Sequence, residues 1–148
     1  MKKIYQYLAL AAAAVGVAQM AQAVPQLMVF DGTTTIIISD NGAGDISGSN
    51  GRIVWNGSIG NWSLNTDVGT TFPVIGTLTN PQLDLSFNAF STTGGTLRIS
   101  FSADGFGPTA GTAVSQIGGT TPGTVVYNTF GGTNNTLFNT SNLLTAQG

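Results

Sequence analysis

Between Leu83 and Ala103 the chain alternates apolar and polar residues twice, with a period of two. Leu83, Leu85, Phe87 and Ala89 interleave with Asp84, Ser86, Asn88 and Phe90. Past residues 91–95, Leu97, Ile99, Phe101 and Ala103 interleave with Arg98, Ser100 and Ser102. Successive side chains of a strand point to opposite faces, so each run builds one apolar and one mainly polar face. An α-helix would need apolar positions three or four apart, and no stretch from Leu27 onward sustains that spacing. The feature therefore confines the chain to antiparallel sheet packed on one side.

Other segments read the same way. Residues 27–30 and 33–39 flank Asp31-Gly32, a two-residue hairpin signal. Residues 52–56 and 61–66 predict two short strands around a Gly-Ser-Ile-Gly connection, and residues 83–90 and 97–103 the clearest strand pair, joined by a turn at 91–95. Residues 124–130 predict another strand, with a last segment around Leu137, Phe138, Leu143 and Leu144. Eight or nine short strands at this spacing predict an all-β fold, a single antiparallel β-sandwich of jelly-roll-like character. A closed barrel is the alternative. With neither a linker nor an exact repeat, residues 24–148 are taken as one domain.

Residues 1–23 have a different character. Lys2 and Lys3 precede Leu8, Ala9, Leu10 and an alanine run, and Ala21-Gln22-Ala23 is a small-x-small site for signal peptidase, with the cut between Ala23 and Val24. The apolar run is too short to be a span, which needs ~20 residues. Export is therefore expected, and no later segment is apolar enough for a membrane helix. Without the leader 125 residues remain, carrying two arginines against six aspartates and no Lys, Glu, His or Cys. Gly, Ser, Thr and Asn make up about half of them. Zinc sites, thiol nucleophiles, Ser-His-Asp triads and Lys Schiff bases lack the residues they need. Nucleic-acid binding lacks its basic patch. Disulfides are ruled out in a compartment that would permit them, so sheet hydrogen bonding and packing must stabilise the fold.

The candidate sites are few. Asp40, Asn41 and Asp45 place oxygen ligands on a glycine-rich loop, which suits calcium, the one cofactor considered. The spacing matches neither the EF-hand loop nor the nonapeptide calcium repeat, and the same residues are ordinary turn formers, so no cofactor is expected. Trp55, Trp62 and Tyr127 are candidates for stacking on sugar. Ile53 with Trp55, and Trp62 with Leu64, share strand faces, a pattern that favours burial over a sugar platform. No pair of the six aspartates is marked as a glycosidase dyad, and a non-enzymatic protein is expected. Sequons at Asn56, Asn61, Asn134 and Asn139 are explained by chance in so Asn- and Thr-rich a chain.

Several segments together carry a family resemblance: Ile-Ile-Ile-Ser-Asp-Asn-Gly-Ala-Gly-Asp at 36–45, Asn-Gly-Ser-Ile-Gly-Asn-Trp at 56–62, Pro-Gln-Leu-Asp-Leu at 81–85 and Thr-Leu-Arg-Ile-Ser-Phe-Ser-Ala-Asp at 96–104. Residues 118–127 and 135–138 continue it. The chain resembles secreted bacterial proteins of the PEP-CTERM, exosortase-associated kind. The resemblance implies a secreted β-rich structural protein of a Gram-negative-type bacterium, exported through the periplasm to the cell surface or biofilm matrix. It also implies exopolysaccharide as a partner and no catalytic residues. A carbohydrate-binding module and a self-assembling surface subunit are the alternatives. The chain departs from the family in having no Glu, hence no Pro-Glu-Pro sorting motif, before it stops at Gly148. The expectation is either a C-terminally incomplete sandwich, with an unpaired sheet edge, or a member that does without the sorting tail.

Overall fold

A computed structural model describes residues 23–148, with the side chains of residues 66 and 67 left aside. The expected leader, apart from Ala23, lies outside the described residues. The described chain is all-β, and every strand pairing is antiparallel. Eight strands succeed one another: β1 Pro25–Phe30, β2 Thr35–Ser39, β3 Arg52–Ile59, β4 Trp62–Thr70, β5 Asp84–Ser91, β6 Arg98–Ala103, β7 Tyr127–Phe130 and β8 Leu143–Gln147. They divide into sheets β2-β1-β6, β3-β4-β5 and the hairpin β7-β8.

The first two sheets face each other, with β1 and β2 both in contact with β3. Leu27 and Val29 of β1, Ile38 of β2, Ile53, Trp55 and Ile59 of β3 and Leu64 of β4 form the buried core between them. β1 shows why the sequence takes this form: burial alternates strictly along Pro25–Phe30, as a strand with one face on a core requires. Close approach across the core uses Gly69 of β4, where any β-carbon would overlap the Phe101 ring of β6. At the far end of β4, Thr71 is fully buried, and its hydroxyl donates to the Gln82 carbonyl at 2.8 Å.

Several expectations are corrected. The connection between β3 and β4 is not residues 57–60, since residues 57–59 continue β3 and pair with residues 62–64, leaving a two-residue turn. Residues 83–90 and 97–103 do not form a hairpin: β5 pairs with β4, whereas β6 pairs with β1 in the opposite sheet. The connection at 92–97 thus crosses from one layer to the other. Nor is the β5 apolar face covered along its length. Leu85 and Ala89 pack against the core. Phe87 on this edge strand, and Leu83 just before it, stay about half exposed. The β1–β2 turn is also longer than the two residues Asp31-Gly32. Phe30 pairs with Thr35, which leaves four residues in the turn.

Candidate functional site

The loop between β2 and β3 holds the residues considered for calcium, and each is engaged by protein. Asp40 Oδ2 accepts from the Gly51 N–H at 2.9 Å. Asp45 Oδ2 accepts from Asn41 N–H, and its Oδ1 from Ser47 and Val54 N–H, all at 2.9 Å. Asn41 sits at φ 54°, a left-handed position that Asn tolerates, and its Nδ2 donates to Asn50 Oδ1 at 2.9 Å. Ile46 N–H then donates to the Val54 carbonyl at 2.8 Å. Residues 45 and 46 therefore satisfy both backbone groups of Val54 on the side of β3 away from β4. What the arrangement does is fold the loop back and block a sheet edge. Asp40 Oδ1 is buried without a hydrogen-bond partner. Among the described residues no three His, Cys, Asp or Glu side chains gather as a metal group.

The three aromatic candidates separate. Trp55 is buried, its ring lying over Gly57, where a β-carbon would overlap it. A ring so enclosed has no face for a sugar, which removes Trp55 from the stacking candidates. The reason is legible: it shares a face with Ile53, which is fully buried. Tyr127, on β7, is half-buried and pairs with Gln147 of β8. Trp62 is also half-buried, and it lies at the mouth of the sandwich. Of the two residues expected to flank a cleavage point, Ala23 is buried and Val24 about half exposed, immediately before β1.

Around Trp62 three turns converge on a cavity of about 200 Å³. The β1–β2 turn contributes Asp31 and Thr33, the β3–β4 turn Gly60 and Asn61, and the β5–β6 connection Gly94 and Gly95. Their meeting comes from the topology. In a run of antiparallel strands, the turns after β1, β3 and β5 all fall at one end. Gly60 at φ 52° opens the two-residue β3–β4 turn, with no positive φ at Asn61, as a type II′ hairpin requires. Trp62 begins the central strand β4, pairing with Ile59 on one side and Ser91 on the other.

Asp31 is held by its own turn. Its Oδ1 accepts from Thr34 N–H at 2.7 Å and from Thr33 N–H at 2.8 Å. These two bonds, Thr34 first, stabilise the ionised form and hold the carboxyl below the usual carboxylate range. Oδ2 faces the β3–β4 turn, and a β-carbon on Gly60 would overlap it. Opposite, the Trp62 indole Nε1 lies 3.6 Å from where a β-carbon on Gly95 would stand. The cavity thus combines a partly exposed indole, a pre-oriented anionic acceptor and an exposed amide. Such a set can stack on a flat apolar ring face and hydrogen-bond the hydroxyls at its rim.

Of these residues the sequence singled out Trp62 alone. Asp31 reads locally as a turn former and Asn61 as a strand start. The signal that could have found them was the shared end of the turns after odd-numbered strands, which becomes usable only once strand pairing is known. Compared with known proteins, the chain matches no family model, no curated protein and no solved structure.

Proposed function

We propose that this chain is an exported, non-enzymatic β-sandwich protein of the bacterial surface or extracellular matrix, and that it binds matrix polysaccharide. The observation that carries the reading is the cavity in which the Trp62 indole stands beside Asp31 and Asn61. The resemblance to PEP-CTERM proteins supports the destination, as does the leader-like composition of residues 1–23. A surface of few charges and many hydroxyl and amide groups suits a hydrated polymer, to which it offers hydrogen bonds at little electrostatic cost.

The test has two arms. Fractionation of the native host should place the protein outside the inner membrane, with Val24 as its first residue. Crude extracellular polysaccharide should co-sediment the purified mature chain. Confinement to the cytoplasm, or no association with the polysaccharide, would overturn the reading.

A second reading, a self-assembling surface subunit, draws on one observation. Phe90 is 64% exposed, and Val114 and Val126 still more, an amount of apolar surface that favours association. Size-exclusion chromatography across a wide concentration range tests it, and a monomer throughout would dismiss it.

A further inference from the structure

The cavity at the three turns is specific in ways that polysaccharide association alone does not require, although its role as a subsite rests on polysaccharide binding being the function. At about 200 Å³ it is smaller than the ~300–1,000 Å³ of drug-sized pockets, so it admits one ring rather than an oligomer. One wall is the Trp62 indole, the first residue of β4, whose Nε1 meets no protein acceptor among the described residues. Another is the Asp31 carboxylate. The Thr33 and Thr34 N–H groups both fall on Oδ1, and Oδ2, which rests against Gly60, takes neither of them. The bare glycine at 60 lets the Asp31 carboxylate close against the β3–β4 turn, and the one at 95 leaves the Trp62 Nε1 side of the cavity clear.

A carboxylate accepts hydrogen bonds and donates none, so its partner must be a donor such as a sugar hydroxyl. Its charge repels a second carboxylate in the same small space. The indole needs a ring face of C–H groups to stack on, and its N–H a hydroxyl oxygen. We propose that the cavity is a subsite for a single neutral hexose residue, stacked on Trp62, with hydroxyls donating to Asp31 Oδ2 and bonding the Asn61 amide. The subsite discriminates against uronic acids. Recognition of one ring is weak by itself, and repeated residues along a polymer would supply the avidity through high local concentration.

The experiment titrates the mature chain with mannohexaose and cellohexaose as neutral probes and with guluronate hexamer as the acidic one. Binding is followed by tryptophan fluorescence and calorimetry at neutral pH. At least one neutral hexamer should change the emission, with the guluronate hexamer at least fivefold weaker. Trp62→Phe should remove the ligand-dependent signal while the buried Trp55 still reports a folded protein. Asp31→Asn should weaken the neutral hexamer at least fivefold, a charged hydrogen bond being worth about tenfold or more. Its melting curve should stay cooperative, because an Asn oxygen still accepts from Thr33 and Thr34. The subsite is overturned by a lack of response to both neutral hexamers, by an effect of Asp31→Asn below fivefold, or by equal or tighter guluronate binding. Failure of the subsite with crude polysaccharide still co-sedimenting leaves the broader reading standing. Failure of co-sedimentation removes that reading, and the hexamer titration judges the cavity separately.

Discussion

Replacing Asp45 by Ala removes one carboxylate and, with it, three backbone hydrogen bonds. The Asn41 N–H is exposed and regains water, so its share is small. The Ser47 and Val54 bonds are part-buried, and their donors are left poorly satisfied. Bonds to charged groups contribute about 1.5–3 kcal/mol each, and partial exposure places these two at or below the lower end. The expected loss is therefore about 2–3 kcal/mol. For a domain of this size each kcal/mol moves Tm by ~4 °C, which gives a fall of about 8–12 °C. Thermal melts followed by circular dichroism, with urea titration as a second measure, read it directly. Asp45→Asn keeps an oxygen for Oδ1's partners and should lose only about 1 kcal/mol. The Ala variant should also associate more readily, since the Val54 N–H on the β3 edge is no longer covered by Asp45. A loss below about 0.5 kcal/mol would refute the reasoning, because it would mean that water replaces all three bonds without cost.

Other parts of the molecule give four further outcomes. Calcium should leave the melting curve unmoved if the Asp40–Asp45 loop acts only through its backbone bonds. Binding at ten times Kd would add about 1.4 kcal/mol, so a clear rise in Tm over chelator would reinstate the metal. Leu27→Ala, at a fully buried position of the central strand β1, should cost about 2–5 kcal/mol by urea unfolding. Gly69→Ala drives a methyl into the Phe101 ring and should cost about 1–3 kcal/mol, with Phe101→Leu in the same chain recovering part of it. Asp31 is held below its unfolded pKa, so its contribution is present above the usual carboxylate range and lost as pH falls through the lowered value. Melts from pH 7 to pH 2 should show a drop over that acidic window that is smaller in Asp31→Asn.

The all-β character and the alternation along most strands were legible in the sequence because a period of two is a local property. Ile53 and Trp55 share a face and are buried together, whereas the β3–β4 turn is tighter than the Gly-Ser-Ile-Gly connection suggests, because residues 57–59 pair within the hairpin and only Gly60 and Asn61 turn. Only the tertiary structure decided partners. The runs at 83–90 and 97–103 have the alternation that a hairpin would have, yet they lie in opposite sheets. Alternation says which side is buried and is silent about which strand lies alongside. The same holds for the sites. Asp45 looks like a metal ligand beside Asp40 until the backbone N–H of Val54, nine residues on, is brought to its oxygen. Asp31, Asn61 and Trp62 are ordinary turn and strand residues in the chain, and they meet only where three turns reach one end of the sandwich. Local chemistry thus determined an all-β chain with a lean apolar core. Long-range pairing, whose energy depends on residues far apart in sequence, decided where its polar groups converge.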